Sequence, residues 1–188
     1  MTDDKILKRG CRILRPHEYE QLRGSIPKTK HKLIIEALFF SGARYSEIAY
    51  LKQHKQLLKS DYIIMPSQKK RAKQKERYIL LNARGQQAIE YFIDGDATLP
   101  SYSTMNENLQ RWAKNAKLDP EGITIKTFRK TWESWLCASY PHSLVQIFMS
   151  QGHSQMVSIT HYLNIPFTKQ DKQRVQKYTQ GWGNIDDS

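Results

Sequence analysis

The chain has 188 residues, of which 30 are lysine or arginine and 18 are aspartate or glutamate, so its formal net charge at pH 7 is +12. The length suits a single domain, and a hydrophobic fraction of 39% is enough for a globular core. No stretch of about 18 apolar residues is present, so neither a transmembrane helix nor a membrane partner is expected. Cys11 and Cys137 are too few for a disulfide framework or a zinc site and are interpreted as reduced residues.

The basic composition indicates the class of partner. A compact domain with this charge attracts polyanions, and nucleic acid is the commonest of them. A protein that is basic without a nucleic-acid partner is the alternative. The N-terminus, from Met1 to Ile6, has no apolar signal region. We therefore expect an intracellular protein that is cytoplasmic and associated with DNA, or that acts in a host cell if a virus or plasmid encodes it.

The spacing of apolar residues predicts a mainly α (α+β) fold with one small antiparallel sheet. Helical spacing covers, in chain order, 16–24, 31–40, 44–51, 83–94, 103–117, 127–139, 143–150, 155–163 and 169–178. The runs Tyr62–Met65 and Arg77–Leu81 are β-rich, and the basic sequence SQKKRAKQKE between them is the predicted hairpin tip. We expect one domain over residues 1–165 and a C-terminal tail or helix over 166–188.

Four separated motifs carry charged or nucleophilic side chains. In the motif KTFRKT, residues 126–131, Lys126 and Arg129 lie three residues apart, so they share one face of a helix. In the motif that begins with QGHS at residue 151, His153 precedes Tyr162 by nine residues. The motifs are SGARYSEI over 41–48 with Arg44 and Glu47, the basic hairpin tip, KTFRKT over 126–131, and QGHS over 151–154 followed by Tyr162.

In this order, the motifs resemble the signature of the tyrosine recombinases, the phage-integrase superfamily. The family's first box, T-G-x-R-x-x-E-L, corresponds to residues 41–48, and its second, H-x-L-R-H-T, corresponds to 126–131. Its third box, L-G-H-S with a tyrosine nine residues after the histidine, corresponds to 151–154 and Tyr162. The resemblance covers most of the chain and implies a helical catalytic domain that cleaves and rejoins double-stranded DNA.

The resemblance implies a role for each matched residue. Tyr162 would attack a DNA phosphodiester and form a 3′-phosphotyrosyl link, releasing a 5′-hydroxyl. Arg44 and Arg129 would bind the non-bridging phosphate oxygens, because guanidiniums bind phosphate in a bidentate way and stay charged. His153 and Lys126 would donate further hydrogen bonds to the phosphate. Such a donor set needs no metal, and the phosphotyrosine keeps the bond energy, so no cofactor, metal or ATP is expected.

A lysine of the hairpin tip would act as the general acid that protonates the leaving 5′-oxygen. Counting forward from the first strand favours Lys70, whereas counting back across a longer turn allows Lys73. A solvated charge run that contacts the DNA backbone non-specifically is the alternative interpretation of the tip. Glu47 is the expected supporting residue of Arg44, and the residues predicted to contact DNA are Lys69, Arg71, Lys75 and Lys130.

The function that these implications favour is a site-specific DNA recombinase or integrase of a mobile element. It would act as a homotetramer on paired DNA sites and be a monomer or weak oligomer without DNA. Lys126 stands where the family usually has histidine, which leaves the activation of Tyr162 open and is compatible with a type IB topoisomerase-like nicking-closing enzyme. A degenerate family member that only binds DNA is the third interpretation.

Both ends of the chain also differ from the family pattern. The segment before Arg44 leaves no room for the N-terminal helical domain that completes a clamp round DNA in relatives. We therefore interpret the chain as a catalytic domain alone or as a minimal recombinase. The segment after Tyr162 is long enough for a further helix, which in relatives often docks on a neighbouring protomer.

Overall fold

The computed structural model describes residues 5–66, 76–153 and 165–184. Its helices are α1 (Pro16–Gly24), α2 (Thr29–Ser41), α3 (Tyr45–Gln53), α4 (Ala83–Asp94), α5 (Tyr102–Asn115), α6 (Ile125–Ser139), α7 (Leu144–Gln151) and α8 (Lys169–Thr179). The strands are β1 (Ile6–Lys8), β2 (Cys11–Ile13), β3 (Tyr62–Pro66) and β4 (Glu76–Leu80), and two 3₁₀ turns cover Lys55–Leu57 and Trp182–Asn184. The prediction of a mainly α fold is confirmed.

Part of the predicted site lies outside the described residues. The predicted helix at 155–163 is outside them, and so are Lys69, Lys70, Arg71, Lys73, Lys75 and Tyr162. Within the three described ranges, no helix is both long and apolar enough to cross a membrane.

The residues that the structure describes form two small antiparallel sheets where the sequence predicted one. β3 and β4 pair from Tyr62 opposite Leu80 to Pro66 opposite Glu76, which confirms the predicted hairpin. β1 and β2 form the second sheet. They are joined by Arg9 and Gly10, which both have positive φ, at 51° and 67°, as tight hairpin turns require. Strands of three residues are too short to produce a clear alternating pattern, which explains why this sheet was missed.

The apolar helix α2 lies at the centre of the core. It packs against both α4 and α6. Phe39 of α2 is fully buried and stacks on Tyr19 of α1, with ring centroids 4.0 Å apart. Trp132 and Trp135 of α6 contact the same phenylalanine ring. The hydrophobic segment that the sequence identified as a helix is therefore the element around which the others assemble.

Helix α6 contacts elements from both ends of the chain. It packs against β2 near the N-terminus and against α7 and α8 near the C-terminus. The Trp135 Nε1 donates to the Leu14 carbonyl at 3.0 Å, and the Thr131 hydroxyl accepts from the Leu14 backbone N at 3.0 Å. These contacts hold the helix that carries Lys126 and Arg129 in a fixed orientation.

The C-terminal segment packs on its own domain. Helix α8 begins with a capping box between Thr168 and Asp171, and the Asp171 carboxylate forms a buried ion pair with Arg15. Beyond α8, Trp182 is fully buried and its Nε1 donates to the Leu80 carbonyl at 3.0 Å. Residues 169–184 are thus part of the same folded unit, and docking of the tail on a neighbouring protomer stays a prediction.

Replacing Trp182 with alanine tests this packing. We expect the free energy of unfolding to fall by about 3–5 kcal/mol, because truncation of a fully buried indole leaves a cavity. Chemical denaturation followed by circular dichroism measures the change. The control is Tyr91→Ala, at a position that is 58% exposed, where stability should change little. A Trp182→Ala protein with an unchanged denaturation midpoint would contradict the packing of this segment on its own domain.

Candidate active site

The turn between α2 and α3 positions the first pair of charged residues. Gly42 ends α2 with a left-handed φ of +60°, and a Cβ there would overlap the side-chain amide of Gln151. At the start of α3, the Arg44 backbone N donates to Glu47 Oε2 and its Nη1 donates to Glu47 Oε1, each at 2.7 Å. The Arg44 side chain remains 49% exposed and so can reach a ligand.

Arg77 of β4 completes the surroundings of Glu47. Its Nη1 and Nη2 donate to the two carboxylate oxygens at 2.6 and 2.8 Å, and its Nε donates to the Ser150 carbonyl at 3.1 Å. Burial of Glu47 disfavours its charged form, but the hydrogen bonds and charge of Arg77, together with those of Arg44, lower the pKa of Glu47 to about 2. The carboxylate is therefore ionised at neutral pH and holds two guanidiniums.

Arg77 was not predicted to be a site residue. It lies two residues before the fully buried Ile79 of the same strand, so the two side chains share a face of the sheet. A charged side chain at an inward-facing position of a predicted strand was the signal in the sequence. What the sequence could not provide was its partner, because Glu47 is 30 residues away along the chain.

Arg129 connects the first motif to the last. Its Nη1 donates to the Gly42 carbonyl at 2.7 Å, and its Nη2 donates to the Gln151 carbonyl. These two bonds leave other N–H groups of the guanidinium for a ligand. Burial, together with the positive charges of Arg44 and Arg77, lowers the pKa of Arg129 to about 10. The guanidinium is thus still protonated at neutral pH, but it lies among other cations.

His153 follows α7 and faces α6. Its backbone N donates to the Phe148 carbonyl at 2.9 Å, across Gly152 in a left-handed conformation. The ring Nε2 lies 2.7 Å from Oε1 of Glu133, whose side chain is only 1% exposed. Glu133 was also not predicted to be a site residue, although it follows Arg129 by four residues and so shares its helix face.

Lys126 and Lys130 lie in different surroundings. Lys126 is exposed in the first turn of α6, before Arg129. The Lys130 Nζ donates to the Lys8 carbonyl at 3.3 Å, which directs it to the β1–β2 hairpin and away from the arginines. The predicted roles of both lysines in binding DNA stay predictions, as do those of the hairpin tip and Tyr162 outside the described ranges.

The described charged residues of the site, other than the two lysines, form one cationic cluster. Glu47 joins Arg44 to Arg77, while Arg129 lies close enough for both of these cations to depress its pKa. Three guanidiniums face two carboxylates, those of Glu47 and Glu133, and the cluster reaches the surface through Arg44. This arrangement suits an anion with several oxygens, such as a phosphate group. In the part of the chain that the structure describes, no group of three or more His, Cys, Asp or Glu side chains could hold a metal ion.

The chain has the fold of a tyrosine recombinase catalytic domain. Among solved structures, the XerA recombinase matches with a TM-score of 0.65 and 16% identity, over 95% of this chain and 67% of that chain. The XerH site-specific recombinase bound to difH substrate in a pre-cleavage complex matches with a TM-score of 0.61 and 18% identity, over 81% of this chain and 50% of that chain.

A second XerH structure is also similar. In a post-cleavage complex with palindromic difH substrate, it matches with a TM-score of 0.61 and 19% identity, over 90% of this chain and 52% of that chain. The chain therefore spans about half the length of the XerH chains that it resembles. No protein-family model matches the sequence, and no curated protein does.

The ionisation of Glu47 predicts how stability depends on pH. Its pKa is lower in the folded protein than in the unfolded chain, so its contribution to stability is complete above its ordinary pKa of 4.5 and is lost as pH falls towards about 2. At neutral pH we expect Glu47→Gln to lower the free energy of unfolding by roughly 3 kcal/mol. The free energy of unfolding of this variant should also fall less than that of the wild type as the pH is lowered from 4.5 towards 2. Denaturation at several pH values measures both effects.

The control for this experiment is Glu107→Gln, an exposed position in α5. It should change neither the free energy of unfolding at neutral pH nor the fall in that free energy as the pH is lowered. Equal behaviour of the two variants would mean that the Glu47 carboxylate does not hold the arginines as described.

Proposed function

We propose that this chain is the catalytic domain of a site-specific DNA recombinase or integrase of a mobile element. The observation that carries the proposal is the convergence of Arg44, Arg129 and His153 on one cluster. They come from three separated motifs, and Arg129 joins the other two motifs through the carbonyls of Gly42 and Gln151. Within the recombinase fold, this convergence supports a site built for a phosphate group.

The electrostatics of the cluster favour a DNA phosphate as its ligand. Arg44 is half exposed. Burial and then the nearby charges of Arg44 and Arg77 lower the pKa of Arg129, and an anion that binds between these cations would relieve their repulsion. The formal net charge of +12 attracts a polyanion over longer distances. The solved XerH structures are complexes with difH substrate, which supports DNA as the partner of this chain as well.

In the proposed reaction, the Tyr162 hydroxyl attacks the scissile phosphorus. A bond forms between the tyrosine oxygen and phosphorus, and the bond from phosphorus to the 5′-oxygen breaks. The tyrosine proton goes to a base, and the leaving 5′-oxygen takes a proton from Lys70 or Lys73. Arg44 and Arg129 stabilise the charge on the non-bridging oxygens. A 5′-hydroxyl then attacks the phosphotyrosine in reverse, so no ATP is consumed.

The proposed assembly is a homotetramer on two paired DNA sites, in which strands are exchanged. Lys126 favours a second candidate, a type IB topoisomerase-like nicking-closing enzyme, because a lysine is exposed one turn before Arg129 where the family usually has histidine. The two candidates share the covalent intermediate but differ in product. A recombinase needs paired sites, whereas a nicking-closing enzyme relaxes a single supercoiled plasmid.

Trapping the covalent intermediate tests the proposed function. A library of randomised duplexes with a 5′-bridging phosphorothiolate at one position should capture the protein, because the released thiol does not attack in reverse. Sequencing the captured DNA then identifies the site. We expect Tyr162→Phe to abolish capture and Arg44→Gln to slow it by about 100-fold, since one stabilising donor is lost.

The control is Tyr178→Phe, because Tyr178 is half-buried and its hydroxyl donates to Glu20. This variant should be captured like the wild type. Capture of Tyr162→Phe would contradict the assignment of the nucleophile. Salt-dependent DNA binding without capture on any duplex would favour a member that only binds DNA, and plasmid relaxation without paired sites would favour the nicking-closing enzyme.

A further inference from the structure

Two arginines share the Glu47 carboxylate unequally. The Arg77 Nη1 and Nη2 donate to Oε1 and Oε2 at 2.6 and 2.8 Å, which is the bidentate geometry of an arginine–carboxylate pair. Arg44 also reaches both oxygens, but it does so with Nη1 on Oε1 and with its backbone N on Oε2, each at 2.7 Å. The Arg77 side chain therefore makes two hydrogen bonds to the carboxylate, and the Arg44 side chain makes one.

The end of α7 holds Arg77 in this arrangement. Its Nε donates to the Ser150 carbonyl at 3.1 Å, and its Cδ lies 2.8 Å from the place where a Cβ at Gly152 would be. The Arg77 side chain is 11% exposed, whereas that of Arg44 is 49% exposed. The guanidinium of Arg77 is thus committed to contacts within the protein, and that of Arg44 is the one that faces solvent.

Without Arg77, Arg44 and Glu47 would pair differently. The Glu47 side chain is only 4% exposed, and a carboxylate removed from water requires a compensating partner. Arginine binds a carboxylate most strongly with two parallel N–H groups. Arg44, three residues before Glu47 on the same helix, would be the nearest cation able to take both oxygens. Its guanidinium would then turn towards the protein and offer fewer N–H groups to a ligand.

We propose that Arg77 is a positioning residue that occupies both oxygens of Glu47 and so keeps the Arg44 guanidinium available to a phosphate. Phosphate and carboxylate both bind the same pair of guanidinium N–H groups, so Glu47 and the ligand compete for Arg44. Arg77 decides this competition in favour of the ligand, because it satisfies the carboxylate first. The inference rests on the proposed function and assigns to a residue of β4 a part in phosphate binding, although that residue does not itself reach the ligand.

Nitrogen-15 NMR of the arginine side chains in the DNA-free protein tests the positioning without any reaction. In the wild type, we expect separate signals from the two Nη groups of Arg77, because its two bonds to one carboxylate hinder rotation about Nε–Cζ, and averaged signals from Arg44. In Arg77→Met, Arg44 should give the separate signals instead. Tyr78→Phe, at a neighbouring position that is 47% exposed, should leave both patterns unchanged. Averaged Arg77 signals in the wild type would overturn the proposal even if no variant folds.

Single-turnover cleavage of the phosphorothiolate duplex tests the consequence. We expect Arg77→Met to slow cleavage by about 100-fold, because Arg44 is withdrawn from the phosphate. Adding Glu47→Gln to this variant should restore roughly 10-fold of the rate, since a neutral amide no longer competes for Arg44 and removal of both charges of a buried pair is tolerated better than removal of one. A residue with only a structural role would give the opposite result. If the double variant cleaves no faster than Arg77→Met, the inference is refuted.

The two measurements separate this inference from the proposed function. If the wild type is never captured on DNA but the separate Nη signals pass from Arg77 to Arg44 in Arg77→Met, the recombinase proposal fails while the positioning by Arg77 stands. If the wild type is captured and Arg77→Met cleaves at the same rate, the recombinase proposal stands and the role of Arg77 fails.

Discussion

The site depends on the two hydrogen bonds that Arg129 donates to backbone carbonyls. They join the turn after α2, at Gly42, to the end of α7, at Gln151. The side-chain amide of Gln151 also lies where a Cβ at position 42 would lie, and Gly42 has a positive φ of +60° that favours glycine. Arg44 and His153 follow these two points within two residues. One guanidinium therefore sets the relative position of the groups proposed to bind phosphate.

The charges of the cluster are balanced by two buried carboxylates. Glu47 binds Arg44 and Arg77 and is held ionised by them, whereas Glu133 lies against His153. A buried cation without such partners would lose more in desolvation than it gains in contacts. The remaining positive charge lies at the surface end of the cluster.

The core and the C-terminal segment give this cluster a rigid base. Helix α6 packs against α2, β2 and α8, so the residues it carries are attached to elements from several parts of the chain. The buried ion pair between Arg15 and Asp171 and the burial of Trp182 attach residues 169–184 to that base. The site is thus held by long-range packing, although its motifs are short.

The sequence by itself determined the helices that lie within the described residues and the β3–β4 hairpin, because the spacing of apolar residues is a local property. The helix at 83–94 has the predicted bounds, and the pairing of Arg44 with Glu47 follows from their separation of three residues. Only the tertiary structure decided that Arg77 and Glu133 belong to the site. Their partners lie 30 and 20 residues away along the chain. Such contacts depend on how helices and strands pack against each other, and the spacing of residues within a short motif does not predict that packing.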